Sequence, residues 1–142
     1  MSDACVLDTH AWILLQRGLD AMPPRVRRRL RRGDAVYVPT ISLREVALLV
    51  AQRRLTIAPG RDGIDAWMRA ALRAPCEVAP LTPEIAVESA NLPHEGFHRD
   101  PNDQMIYATA RVLGVPLITR DEAIHEFERG LPQTAKRLAV WA

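Results

Sequence analysis

Short apolar runs alternate with longer segments of helical character along the whole chain. The alternation predicts strands at about 4–8, 35–38, 77–79, 116–119 and 138–141, and helices at about 9–17, 23–32, 42–54, 64–73, 83–90, 103–113 and 122–129. A Gly- and Pro-rich turn is expected over 56–63 and a loop over 92–102. Short apolar strands that alternate with helices are typical of a parallel sheet covered on both faces.

The fold class expected from this pattern is α/β. We predict a three-layer α/β/α sandwich whose central, mainly parallel sheet has four to five strands. The 142 residues show no internal repeat and no linker, so the chain is expected to form one domain over residues 1–142.

Acidic residues recur where predicted strands end and helices begin. Asp8 closes the first strand and Asp121 follows the fourth, while Glu45 and Asp103 lie in the first turns of predicted helices. Strand ends and helix starts of a parallel sheet share one rim, where ligands bind in open sheets. The four carboxylates are therefore expected to meet at one edge.

Each acid also has a structural explanation. Asp is a favoured N-cap, which could account for Asp8, and Ser42 with Glu45 fits a capping box. Asp100 could cap the next helix, with Asp103 in its first turn. Thr119 could form a capping box with the glutamate at position 122, which would leave Asp121 without a capping role. For each of these residues taken alone, both helix capping and metal binding remain open as its role.

The joint pattern favours a metal site. Carboxylates gathered at one edge raise each other's cost of ionisation, and a hard divalent cation relieves that cost. Mg²⁺ or Mn²⁺ suits a site built from oxygen ligands. Such an ion can activate water and stabilise charge on a phosphoryl oxygen, which indicates hydrolysis of a phosphodiester.

Four segments, taken in order, resemble PIN-domain ribonucleases and more narrowly the VapC-type toxins. They are Val6-Leu7-Asp8-Thr9-His10, Ile41-Ser42-Leu43-Arg44-Glu45-Val46-Ala47, the stretch 97–110 that contains Asp100-Pro101-Asn102-Asp103, and Leu117-Ile118-Thr119-Arg120-Asp121. The resemblance implies that Asp8, Glu45, Asp103 and Asp121 form the catalytic metal site, with Asp100 and Thr119 as secondary candidates. It also implies Mg²⁺ or Mn²⁺, an RNA substrate, a homodimer and a small VapB-like antitoxin. Two positions depart from many members: Arg44 replaces Trp, and Gln104 replaces Arg.

Charge is unevenly distributed although the net charge is only +2. Residues 1–54 contain ten arginines against five acids, and a basic helix at 25–32 contributes Arg28 and Arg31. We predict that Arg28, Arg31 and Arg44 bind RNA phosphates, because guanidinium groups match phosphate oxygens. A solvated helix face and a dock for acidic antitoxin residues are the alternatives for the basic helix.

Other functional classes fit the sequence less well. A phospho-acceptor receiver domain needs a Lys after a late strand, and Lys136 follows no convincing strand. An Asp-nucleophile phosphatase needs a second Asp at position 10, where the chain has His. A catalytically silent RNA- or protein-binding module of the same fold remains the alternative. The chain has neither an apolar run that could span a membrane nor a basic N-terminal leader, so a cytoplasmic location is expected.

Overall fold

Five parallel strands form the central sheet. The computed structural model describes residues 3–57 and 61–142. The strands are Cys5–Leu7 (β1), Val36–Pro39 (β2), Cys76–Ala79 (β3), Leu117–Ile118 (β4) and Ala139–Val140 (β5). Their order across the sheet is β3-β2-β1-β4-β5, and every neighbouring pair is parallel. The predicted α/β class and parallel sheet are confirmed.

Helices cover both faces of the sheet. The seven α-helices found in the described ranges are Thr9–Leu15 (α1), Pro24–Leu30 (α2), Thr40–Ala51 (α3), Arg61–Ala71 (α4), Pro83–Asn91 (α5), Pro101–Leu113 (α6) and Glu122–Arg129 (α7). Short 3-10 helices occur at Leu19–Ala21 and Leu92–Glu95. None of the helices in the part of the chain that the structure describes is both long and apolar enough to cross a bilayer.

Successive strand residues enter two separate hydrophobic cores. Cys5 and Leu7 of β1 pack with α1, α2 and α4, whereas Val6 packs with α5, α6 and α7. β4 follows the same rule, with Ile118 in the first core and Leu117 in the second. A strand that is apolar on both faces is suited to the middle of a three-layer sandwich.

Several helix boundaries differ from the prediction. α3 begins at Thr40 and its N-cap position is Pro39, so Ser42 lies inside the helix and the predicted capping box does not form. α6 begins at Pro101 because the side chain of Asp100 caps it, which confirms the Asp-Pro alternative. Of the predicted turn at 56–63, residues 58–60 lie outside the described residues, and residues 61–63 already belong to α4.

α3 is also less buried than its apolar sequence indicates. Of its residues only Ser42 and Val46 are buried, and Leu48 is exposed. A helix that is apolar on nearly all sides is expected to be buried, and for α3, which carries Glu45, that prediction is wrong. One side of α3 faces solvent and the other carries Glu45 toward the sheet edge.

The strand order places a crevice beside β1. The connection after β1 leads to β2 on one side, whereas β4 lies on its other side, so the chain reverses direction across the sheet at the β1–β4 boundary. In open α/β sheets ligands bind outside the carboxyl ends of the strands at such a point. Asp8 follows β1 directly, and Thr119 follows β4 directly.

Candidate active site

Asp8 is held at the junction between β1 and α1. Its Oδ1 accepts a hydrogen bond from the backbone N–H of Ala11 at 2.8 Å, so the residue is the N-cap of α1. Burial raises the pKa of the Asp8 carboxyl above its usual value, and the charge of Asp121 adds to that rise. Hydrogen bonds from Thr119 and Ala11 act in the opposite direction. The carboxylate is thus buried and near a second acid.

Asp121 caps α7, which corrects the expectation that it has no capping role. Its Oδ1 accepts from the N–H of Ala123 at 2.9 Å. Thr119 does not cap the helix; its fully buried hydroxyl accepts from the N–H of Asp121 at 3.0 Å. The turn after β4 therefore fixes Asp121 through both its backbone and its side chain.

Asp103 lies in the first turn of α6, beside a histidine from the preceding loop. Nε2 of His98 is 2.8 Å from Oδ2 of Asp103. Burial raises the pKa of Asp103 to about 6, against the lowering effect of His98, and the charges of Asp100 and Asp121 raise it further. Asp100 is more exposed, and its Oδ1 accepts from the N–H of Asn102 at 2.9 Å.

Glu45 reaches the same edge from α3. The Thr9 hydroxyl donates to Oε1 of Glu45 at 2.5 Å and lies 2.9 Å from the buried hydroxyl of Ser42. Ser42 therefore contacts the Thr9 hydroxyl from a position one helical turn before Glu45, instead of capping α3. The start of α1 thus brings two groups to the site: the carboxylate of its N-cap residue, Asp8, and the Thr9 hydroxyl that orients Glu45.

These carboxylates surround one small cavity. Its volume is about 150 Å³, and it is lined by Asp8, Thr9, His10, Glu45, Asp100, Asp103, Ile106 and Asp121. Among the described residues, none of its five carboxylates forms an ion pair with an Arg or Lys side chain. A group of carboxylates that no Arg or Lys neutralises fits a divalent cation. Single ligand atoms of His98, Asp103 and Asp121 lie within 4.8 Å of one another, which suits a shared ion.

The predicted RNA-binding arginines do not line this cavity. Arg28 and Arg31 are exposed on α2, whose neighbouring side chain Arg32 binds Asp3 just before β1, toward the opposite edge of the sheet. Arg44 lines a different, mostly apolar cavity with Met105 and residues of β2 and β3. Contact of these three arginines with RNA stays a prediction. Arg28 and Arg31 do not lie beside the acids of the cavity.

Three residues near the acids were missed as contributors to the site. The four histidines of the sequence lack the spacing of a metal-binding motif, yet His98 contacts Asp103 five residues later. Thr9 begins α1, and its hydroxyl also donates to Glu45, a contact that the sequence pattern does not indicate. Gln104, noted as a departure, donates to the backbone carbonyl of His98 at 2.9 Å and so steadies that loop. The clue to His98 was its place directly before the Asp100–Asp103 motif.

Comparisons with known proteins agree with the fold described above. The family model described as PIN domain matches residues 5–130. The chain is similar to Ribonuclease VapC22 of Mycobacterium tuberculosis, with 27% identity over 129 residues, 91% of this chain and 95% of the relative. Among solved structures, DNA-bound VapBC from Salmonella typhimurium has 25% identity and a TM-score of 0.63, covering 91% of this chain and 92% of the other. VapBC2 from Rickettsia felis, bound to a promoter DNA fragment, has 12% identity and a TM-score of 0.69, covering 98% and 99%.

Proposed function

The chain belongs to the PIN domain family, and we propose that it is a metal-dependent endoribonuclease that acts as the toxin of a toxin–antitoxin pair. The observation that carries the proposal is the cavity in which Asp8, Glu45, Asp103 and Asp121 converge, with no described Arg or Lys side chain paired with them. Similarity to a VapC ribonuclease and to VapBC complexes supports the toxin role and a VapB-like antitoxin partner. We also propose that it acts in the cytoplasm, where its RNA substrate would be found.

Asp8, Asp103, Asp121 and Glu45 would hold Mg²⁺ or Mn²⁺. When bound, such an ion lowers the pKa of a water molecule and neutralises charge that develops on a phosphoryl oxygen. The protein's own part is to position the ligands. Capping bonds hold Asp8 and Asp121, His98 holds Asp103, and the Thr9 hydroxyl holds Glu45.

Burial of the acids has a second consequence. A carboxyl group that is partly shielded from water binds a cation more strongly than an exposed one, because fewer water dipoles compete for its charge. The raised pKa of Asp103 also allows that carboxyl to hold a proton near pH 6, so protons and the cation compete for the same oxygens. We therefore expect cleavage to weaken as the pH falls below 6.

RNA cleavage by the purified protein tests the proposal. Mixed cellular RNA is incubated with the protein in Mg²⁺, in Mn²⁺ and in EDTA, alongside the variants Asp8→Asn and Asp103→Asn. We expect cleavage with either metal, none in EDTA, and background cleavage by both variants. Asp65→Asn is the matched control, since Asp65 is exposed on α4 and is not among the described residues that line the cavity. Cleavage that persists in EDTA or in both variants would contradict the proposal; binding without cleavage would indicate the silent module.

A homodimer stays a prediction for this chain. Exposed apolar side chains at Val78, Leu81 and Val87 lie on β3 and around α5 and offer one surface for such contact. Measurement of molar mass in solution at several concentrations decides between monomer and dimer.

A further inference from the structure

A second groove adjoins the carboxylate cavity and shares His10 with it. The groove has a volume of about 250 Å³ and lies between α1, the end of α3 and the turn after β4. We call it the basic groove; it is lined by His10, Ile13, Leu14, Arg17, Leu49, Arg54, Leu55 and Arg120. None of the described residues that line it is acidic, in contrast to the cavity beside it.

Three guanidinium groups around the basic groove lack partners. Among the described residues, the side chains of Arg17, Arg54 and Arg120 form no hydrogen bond or ion pair. Other arginines are engaged: Arg111 binds two glutamates, and Arg129 binds two more. Three unpaired cations that line one groove repel each other, so a bound anion would stabilise them.

Local structure places each of these arginines. Arg53, just after α3, has a left-handed backbone with φ of 58°, and the N–H of Arg54 then donates to the carbonyl of Leu49 at 2.8 Å. This turn closes α3 as a Schellman motif does, and it fixes where Arg54 leaves the helix. Arg120 is held beside the site by the turn that caps α7.

The groove follows one face of α1 away from the acids. His10 and Arg17 are separated by seven residues, or about 10 Å along a helix axis. His10 lies at the boundary between the two cavities, and Arg17 at the far end of the groove. The floor between them is apolar and comes from Ile13 and Leu14 of α1 and Leu49 of α3.

We propose that the basic groove binds the phosphate backbone of single-stranded RNA next to the scissile bond. The inference rests on the proposed function, because the scissile phosphate must lie in the carboxylate cavity and the adjoining nucleotides must leave past His10. Arginine forks match phosphate oxygens, and an apolar floor accepts the faces of ribose or base, a combination typical of single-strand binding grooves. The arginines that contact RNA near the reaction are therefore Arg17, Arg54 and Arg120.

The salt dependence of RNA binding tests this inference. The double variant Arg17→Ala/Arg54→Ala is compared with Arg69→Ala/Arg73→Ala, which removes the same charge from the exposed surface at the end of α4. Binding of a fluorescent single-stranded RNA is measured in EDTA from 50 to 200 mM salt. Each lost phosphate contact should make the negative slope of log K against log salt shallower by about 0.7. The slope of the groove variant should therefore be shallower than that of wild type by about 1.4. Wild type should then weaken about sevenfold more than the groove variant over this range.

The outcomes separate this inference from the proposed function. If wild type cleaves RNA but the groove variant keeps the wild-type salt slope, the inference about the basic groove is overturned and the proposed function is not. Failure of wild type to cleave RNA with Mg²⁺ or Mn²⁺ overturns the proposed function. A poly-glutamate peptide is tested on the same variants: loss of its binding with an unchanged RNA slope would assign the groove to an acidic protein partner and overturn our inference. Equal thermal unfolding of the variants and wild type excludes misfolding as the cause.

Discussion

Removing the charge of Asp103 should stabilise the protein when no metal is bound. The side chain is 21% exposed, and burial raises its pKa from the ordinary 3.8 to about 6. The ionised carboxylate is therefore less favourable in the folded protein than in the unfolded chain. A pKa change of this size corresponds to about 3 kcal/mol of folding free energy at neutral pH. Asp103→Asn removes the charge and keeps an oxygen that can accept from His98.

The sign of the pH dependence follows from the raised pKa. The stability that wild type gains from protonated Asp103 is fully present below pH 4, the unfolded pKa, and is lost as the pH rises through 6. The asparagine is neutral throughout. The variant should therefore match wild type near pH 4, exceed it by about half of the full difference at pH 5, and exceed it by about 3 kcal/mol at pH 7.5.

Urea unfolding in EDTA measures this difference at pH 5, 6 and 7.5. Asp65→Asn is the control, since it removes an equivalent charge from an exposed site and should leave the difference near zero at each pH. A variant that is less stable than wild type at pH 7.5, or a stabilisation that does not change with pH, would refute the reasoning. With saturating Mn²⁺ the order should reverse, because only wild type gains full binding free energy.

Two further substitutions test other contacts. His98→Ala should weaken Mn²⁺ affinity about 10- to 100-fold in calorimetry, because the imidazole orients Asp103. His94→Ala is the control. An unchanged affinity of the His98→Ala variant would contradict the orienting role of His98. Tyr107→Phe should lower the free energy of unfolding by about 1.5–3 kcal/mol, because the Tyr107 hydroxyl donates to the buried carboxylate of Glu128 at 2.7 Å. The folded Tyr107→Phe variant should cleave RNA at the wild-type rate. A free energy of unfolding in urea equal to that of wild type would argue against a contribution from the Tyr107–Glu128 hydrogen bond.

The sheet was predictable because its strands carry their own signal. β1 and β4 are short apolar runs bounded by turn residues, and both are buried on two faces, so burial and sequence pattern agree. The start of α3 was not predictable in the same way. Ser42 has the chemistry of a cap, but packing under Thr9 and Glu45 places it inside the helix, and no local signal reports that contact.

Long-range partners were the main information the sequence lacked. Glu128 looks like an ordinary residue near a helix end, yet its carboxylate accepts from Tyr107 and from the N–H groups of Leu138 and Ala139. Those bonds attach β5 to α7 and bury a charge inside the second core. The basic groove was hidden for the same reason, since Arg17, Arg54 and Arg120 come from three separate parts of the chain.

A capping role does not exclude the proposed metal binding at this sheet edge, because one bond can serve both. An N-cap bond fixes Oδ1 of Asp121 to the backbone of α7 and thereby sets the direction of the whole carboxyl group. Asp8 is set in the same way by α1, and each helix begins where its strand ends. A ligand whose direction is fixed before the ion arrives loses little conformational freedom on binding. The capping geometry that explains Asp8 and Asp121 singly would therefore also orient both carboxyl groups for the proposed cation.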